Sequence, residues 1–289
     1  MLDMKAPTIP RLFRPCLPLA CLVLTACSAK NDSPPAPKPS ASAAATSTAH
    51  PAPTPTASAS ATATPAGANS VKEQNDLYSF SYSWPAAAGN IAPLAKQLEA
   101  GLEKSKQDLL ASAQKGKEES DSNGFPYNPN YYSETWKVVA NLPRWLSLTG
   151  DFSTYTGGAH GNYGRETLVW DKKVARGFPA IDMFTSAKAL GDALGDDLCK
   201  ALDRERAKKR KGTPKGQILD DFTQCVGVDQ ATVMVGSSNG RTFNRIGVWF
   251  GPYVAGPYAE GAYELSFNVD QAILDAVKPA YRDAFSIRR

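Results

Sequence analysis

The chain has 289 residues, 42% of them apolar, with 32 Lys plus Arg against 28 Asp plus Glu and a formal net charge of +4. That length carries one large domain or two small ones with a sizeable core, and the charge balance is not that of a nucleic-acid binder. Two histidines, His50 and His160, exclude a multi-histidine metal site and leave one imidazole for any Ser-His-Asp arrangement.

The chain opens with a basic start, Lys5, Arg11 and Arg14, followed by an apolar run from Cys16 to Ala26. The run is too short to span a bilayer and ends in small residues, so 1–26 reads as a signal peptide. Leu24-Thr25-Ala26-Cys27 resembles the signal box of bacterial lipoproteins. That resemblance implies cleavage before Cys27 and acylation of its sulfur and new amino terminus. Leu19-Ala20-Cys21 is a poorer match, because Pro18 takes the aliphatic position. An ordinary secretory signal with an incidental cysteine is the alternative. Several acyl chains anchor a protein stably. Ser28 stands where a retention signal would have Asp. By analogy with enteric lipoproteins, the expected location is the outer membrane, facing the periplasm and touching lipid only through the anchor.

Residues 27–70 form a linker after that cysteine. The stretch is nearly all Ala, Pro, Ser and Thr, with no Leu, Ile, Val or aromatic residue. It cannot bury enough apolar surface to offset chain entropy and is expected to be disordered. His50 lies in it and is expected to be solvated. Beyond it, residues 71–289 hold 27 basic and 26 acidic residues, a nearly neutral domain.

Within that domain, Leu77 to Trp84 alternates apolar and polar, a strand with one buried face. Asn90 can cap a helix with Pro93 in its first turn, and Ile91, Leu94, Leu98, Leu102 and Leu109 mark its stripe to about Lys115. Gly116 to Asn130 reads as a loop. Strands are expected over Tyr132–Ala140, Arg144–Tyr155 and Arg165–Asp171. Leu190, Leu194, Leu198 and Leu202 predict a second helix over 186–210. Strands follow at Ala231–Val235 and Thr242–Phe250, around a turn at 237–240. A last strand spans Ala262–Val269 and a short helix Gln271–Val277. Strands dominate and no βαβ rhythm is visible. The fold class is α+β, mainly antiparallel sheet with two main helices.

The domain keeps two cysteines, Cys199 and Cys225. Export to an oxidising compartment and an even count predict a disulfide between them; free thiols are the alternative. The chain-entropy model gives roughly 3.5 kcal/mol for a loop of about 26 residues.

Two stretches carry a family likeness. One is Tyr155-Thr156-Gly157-Gly158-Ala159-His160-Gly161-Asn162 and the other Tyr253-Val254-Ala255-Gly256-Pro257-Tyr258-Ala259-Glu260-Gly261. They resemble the Y-T-G-G-A-H-G loop and the C-terminal Y-x-x-x-P-Y-A-x-G hairpin of the paired domains DUF4163 and DUF3298. The resemblance covers nearly all of 71–285. It implies a DUF4163-like part over 71–165 and a DUF3298-like part over 166–289, packed as one unit. Relatives include the extracellular domain of the anti-sigma factor RsiV, which binds lysozyme. A DUF4163 segment also lies beside the catalytic domain of a peptidoglycan deacetylase. No sigma-binding segment and no deacetylase catalytic domain is recognisable here, so neither activity carries over.

The motifs allow two readings each. Gly157, Gly158 and Gly161 give the first loop backbone shapes a Cβ would forbid, and Gly261 ends the second. His160, with Asn162, either contacts a ligand or holds the loop closed through a backbone hydrogen bond. No Lys-Ser/Thr follows the glycines, so this is not a phosphate loop. Gly236-Ser237-Ser238-Asn239-Gly240 matches G-x-S-x-G, but a strand and not a helix is expected next, and no later His exists. Tyr253, Pro257, Tyr258 and Glu260 suit a protein-binding surface, since Tyr gives contact area at little entropy cost; rings capping the core are the alternative. The basic run from Arg204 to Lys215 reads as a solvated helix end, with contact to anionic lipid or wall polymer as the sharper alternative. The five tryptophans lie on strands and read as core.

No catalysis, metal or cofactor is expected. The leading function is binding and occluding a lysozyme-like peptidoglycan hydrolase. The alternative is docking to peptidoglycan. Many lysozymes are strongly basic, so an acidic face would be needed for steering; Glu118, Glu119, Asp121, Asp192, Asp196 and Asp197 are its candidates.

Overall fold

The computed structural model describes residues 66–212 and 222–288, all within one compact unit, Ser60–Arg289. The expected signal peptide, the expected lipidation site Cys27 and most of the expected linker lie outside the described residues, as does Lys215 of the basic run. No helix among the described residues is long and apolar enough to cross a membrane.

Six strands form the larger sheet in the order β1 (Asn69–Gln74), β2 (Tyr78–Trp84), β3 (Asn130–Asn141), β4 (Trp145–Tyr155), β5 (Asn162–Asp171) and β6 (Arg176–Phe178). All neighbours are antiparallel except β2 and β3. That pair is parallel because a short helix, α1 (Ala86–Gly89), and a long one, α2 (Ala92–Asn123), carry the chain back between them. Parallel neighbours need such a crossover. One βαβ unit therefore sits inside an otherwise antiparallel fold, which the expected strand rhythm did not show. The expected division at 165/166 falls inside β5.

The second sheet is β7 (Thr232–Gly236), β8 (Arg245–Phe250) and β9 (Tyr263–Asn268), antiparallel throughout. Between β6 and β7 runs α3 (Ala187–Lys209), and α4 (Gln271–Ala276) follows β9. The fold is α+β, mainly antiparallel, with two long helices.

Two cores hold these layers. Leu94, Leu98, Leu102 and Leu109 of α2 pack on Phe80, Tyr82, Trp84, Trp136, Leu146, Leu148, Leu168 and Trp170. Leu190, Leu194, Leu198 and Leu202 of α3 share the other core with Val233, Val235, Ile246, Val248 and Phe250. All five tryptophans are buried. The two sheets meet through Arg165, which pairs with Asp151 at 2.6 Å and Glu264 at 2.7 Å and lies over the Trp249 ring.

Several boundaries differ from expectation for local reasons. Asn90 follows α1 and does not cap α2, whose N-cap is Ile91. The helix also runs on to Asn123, through residues expected as loop. Lys117 pairs with Asp121 at 2.5 Å one turn on, buried Ser120 donates to the Phe125 carbonyl, and Gly124 closes the helix at φ 70°. Pairs at i,i+4 and a left-handed glycine cap are what such a polar segment needs to stay helical. Strand β1 was not expected and takes in the end of the linker; its register on β2 is set by Val71 opposite Tyr82. Ser186 caps α3, accepting from the Ala189 N–H at 2.9 Å. The disulfide Cys199–Cys225 is formed. Gly236 to Gly240 joins two antiparallel strands, with the Asn239 side chain accepting from the N–H groups of Arg241 and Thr242. It is a hairpin turn, not a nucleophile elbow.

Candidate functional site

The two motifs that are distant in the chain meet in space. The first, residues 156–161, joins β4 to β5, and the second, residues 251–262, joins β8 to β9. Where they touch, the His160 imidazole stacks on the Tyr258 ring, centroids 4.1 Å apart and planes 22° apart. The Tyr258 hydroxyl donates to the Gly161 carbonyl at 2.8 Å. His160 Nδ1 lies 2.8 Å from the same oxygen. A carbonyl only accepts, so Nδ1 carries a proton, and in the neutral imidazole Nε2 is an acceptor. The Tyr253 hydroxyl, 3.2 Å away, then donates to it.

Glycines make this approach possible. Gly157 and Gly158 have φ of 100° and 92°, a region bulky residues avoid. At Gly161 the limit is space, since a Cβ there would stand 2.3 Å from the Tyr131 hydroxyl and 2.8 Å from the Thr154 carbonyl. Gly261, at φ 68°, caps the short 3-10 turn Tyr258–Glu260 behind Pro257. Asn162 is exposed, and its side chain accepts from the Tyr163 N–H.

Tyr253 is the exception to the glycine rule. It holds φ 66° with a full side chain and is 55% exposed. A left-handed backbone at a bulky residue costs of order 1–2 kcal/mol, and such outliers concentrate at functional sites. The Tyr253 ring faces solvent and does not cap the core. Tyr258, half-buried beneath His160, supports it, with ring centroids 5.5 Å apart.

Glu260 turns inward. Its carboxylate receives two hydrogen bonds from Arg210, at 2.8 and 3.0 Å, and another from the Tyr263 hydroxyl. Burial acts to raise its pKa, but the Arg210 and Tyr263 hydrogen bonds outweigh it and the carboxyl stays below its ordinary value. Tyr263 moves the other way, to about 12, through burial and the Glu260 carboxylate. Next to them Lys209 donates to the carbonyls of Glu260 and Ala262 and lies over the Tyr263 ring. Arg206 donates to the Ala255 carbonyl at 3.0 Å.

Two members of the basic run at the end of α3, Arg206 and Arg210, are therefore structural, while Arg204, Lys208, Lys209 and Lys211 are exposed, as a solvated helix end would be. Arg206 is 3% exposed, and Arg210 is nearly as buried in its ion pair. Sequence reading missed this because burial of a cation depends on a carboxylate and carbonyls brought from residues 255–262. The one signal available was spacing, since Arg206, Lys209 and Arg210 share one helical face. Tyr163 was also missed; its hydroxyl accepts from the Ala262 N–H and its ring packs edge-on to Tyr258.

The acidic residues proposed for steering are mostly neutralised locally. Asp192 pairs with Lys188, Asp196 and Asp197 with Lys200, Glu119 with Lys115, and Asp121 with Lys117. The assembled surface is an aromatic tip, Tyr253 on His160 and Tyr258, without a dominant charge.

Comparison with known proteins adds the following. A family model described as Deacetylase PdaC matches residues 71–163. A DUF3298 family protein from Pseudomonas aeruginosa, solved by crystallography, is 15% identical, with 76% of this chain and 97% of that chain covered at a TM-score of 0.42. Another, from Bacteroides fragilis, is also 15% identical, with 73% and 92% covered at a TM-score of 0.39. No curated protein matches the chain.

Proposed function

We propose that this chain is a non-catalytic, lipid-anchored module of the cell envelope that captures and occludes a lysozyme-like peptidoglycan hydrolase. One observation carries the reading: Tyr253 is held exposed on a strained backbone by His160 and Tyr258. A pre-ordered aromatic ring loses little entropy on association and suits a hot spot. The export leader, the Ala/Pro/Ser/Thr linker and the likeness of both motifs to RsiV-type domains support the same reading. With the acidic side chains paired to lysines, electrostatic steering is weak, and affinity rests on the tip's fit.

The second reading is docking to peptidoglycan. The match of residues 71–163 to a model named for a deacetylase favours it.

Calorimetric titration of the oxidised chain from residue 28 onward, first with a panel of lysozymes and then with soluble muropeptides, tests both. Capture predicts saturable lysozyme binding with loss of lysis, weakened at least ~10-fold by Tyr253→Ala. Binding to muropeptides alone replaces capture with docking. A lysozyme complex untouched by Tyr253→Ala removes the tip from the site.

A further inference from the structure

Away from the tip, a cleft of 510 Å³ opens between α2 and the larger sheet. It continues into a second lobe of 350 Å³, and the two share Ser105, Asp108, Tyr132 and Glu166. Volumes of this order suit small-molecule sites. The cleft exists because α2 bears on the sheet through its leucines, while its facing polar residues stand over β3, β4 and β5.

Three carboxyl groups line it, and one of them, Asp108, is paired with Lys104. Glu134, on β3, is 5% exposed, and its carboxylate accepts from the Tyr132 hydroxyl at 2.6 Å. Glu166, on β5, is exposed at the rim. Between their strands runs β4, where Gly150 pairs with Trp136 on one side and Glu166 on the other. A Cβ at Gly150 would stand 2.9 Å from Glu134 Oε1 and from the Trp136 ring. The missing side chain is what lets Glu134 lie in the cleft floor.

Neither Glu134 nor Glu166 forms an ion pair among the described residues. Lys104, the cation lining the cleft, is bound to Asp108 at 2.5 Å. A buried carboxyl without a counter-ion is costly in its charged form. Burial, chiefly, with Glu166 adding to it, raises the Glu134 pKa to about 7. The complementary ligand group is therefore a cation, and the hydroxyl-bearing walls fit it as an organic ammonium. The walls supply hydroxyls from Tyr82, Ser105, Ser112, Thr154 and Thr167.

We infer that this cleft is a binding site for a small hydroxylated amine, whose ammonium group is taken by Glu134 and Glu166 while its hydroxyls meet the serine, threonine and tyrosine walls. The inference does not rest on hydrolase capture, which uses Tyr253, His160 and Tyr258, none of them lining the cleft.

The groups that face Glu134 are Tyr82 from β2, Tyr132 and Trp136 from β3, Glu166 from β5, and Lys104 with Asp108 from α2; β4 presents Gly150 and Phe152. An ammonium ion binds best when Glu134 is ionised, so affinity should rise with pH through about 7.

The test follows amide chemical shifts of the oxidised chain during titration with ethanolamine and glucosamine. Ethylene glycol and N-acetylglucosamine are the uncharged controls. Shifts around Glu134, Glu166 and Ser105 should saturate with an amine, and the matching control should bind at least ~10-fold more weakly. Ethanolamine, charged throughout, should gain affinity from pH 6 toward pH 8 by about that factor. Glu134→Gln should remove that gain, and Glu166→Gln, at the exposed rim, should weaken binding with the fold intact. Tyr253→Ala should leave the cleft untouched. Silence with both amines overturns the proposal, as does equal binding of the uncharged controls. Wild-type affinity in both carboxyl variants overturns it too.

Discussion

Arg210 grips Glu260 with two hydrogen bonds, 2.8 and 3.0 Å long, and so ties the end of α3 to the connection between β8 and β9. Both side chains are largely buried, at 11% and 15% exposure. Removing one partner of such a pair leaves the other charge without compensation.

Glu260→Gln should therefore cost about 2–3 kcal/mol at neutral pH, read by denaturant unfolding. The folded pKa of Glu260 lies below its ordinary value of 4.5. The pair's stabilisation is then complete above that value and is lost as pH falls through the folded pKa. The wild type should lose stability in acid more steeply than Glu260→Gln. Equal slopes would show that the pair contributes nothing. Glu73, Asp151 and Asp171 are also held low, by Lys106, by Lys137 with Arg165, and by Arg144, and add to the acid sensitivity.

Glu134 has the opposite sign. Its folded pKa of about 7 stands above the ordinary 4.5. Its neutral form suits the fold, so this contribution is complete below about 4.5 and is lost as pH rises through about 7. Glu134→Gln, which keeps an acceptor for the Tyr132 hydroxyl, should stabilise the protein by ~2–3 kcal/mol at pH 8 and change little at pH 4. Unfolding curves at the two pH values check this. A loss of stability at pH 8 would mean the charged form is favoured.

Tyr253→Gly separates strain from recognition. Glycine accepts φ 66° freely, so relief of strain should raise stability by up to ~1 kcal/mol, less what is lost with the ring contacts. Tyr253→Ala keeps the strain and loses the ring, and should be the less stable of the two. Thermal unfolding of both variants gives the order. The reverse order would remove the strain argument for this position.

Reduction of Cys199–Cys225 frees a loop closed at a sequence separation of 26. By chain entropy, the Cys199→Ser, Cys225→Ser double variant should be roughly 3.5 kcal/mol less stable. Denaturant titrations of the oxidised wild type and the double variant provide the comparison. A midpoint unchanged by the substitutions would show that the loop is already constrained without the bond.

Much of this architecture was legible from periodicity. The leucine series at 190–202 and at 94–109, and the alternation from Tyr78 to Trp84, depend only on which face each residue presents. The disulfide followed from export and from the even count of cysteines in the domain, Cys199 and Cys225. Strand β6, three residues long, leaves no periodic signal. The extension of α2 through residues 116–123 was hidden because side-chain pairing and a glycine cap, not apolar residues, sustain it.

Composition marks the boundary between linker and domain, periodicity marks the strand and helix faces, and glycine content marks the two motifs. Their meeting was decided by tertiary structure. His160 reaches Tyr253 and Tyr258 only because β5 and β9 bring their ends together, with Tyr163 bonded to Ala262. The same holds for Arg206 and Arg210, which look solvated in a basic run and are buried against a distant connection. Glu134 was one alternating position of a strand until Gly150 and α2 enclosed it. Local pattern sets which side of an element is apolar. The environment of a charge depends on groups far along the chain, because burial and ion pairing are properties of the packed assembly and not of neighbours in sequence.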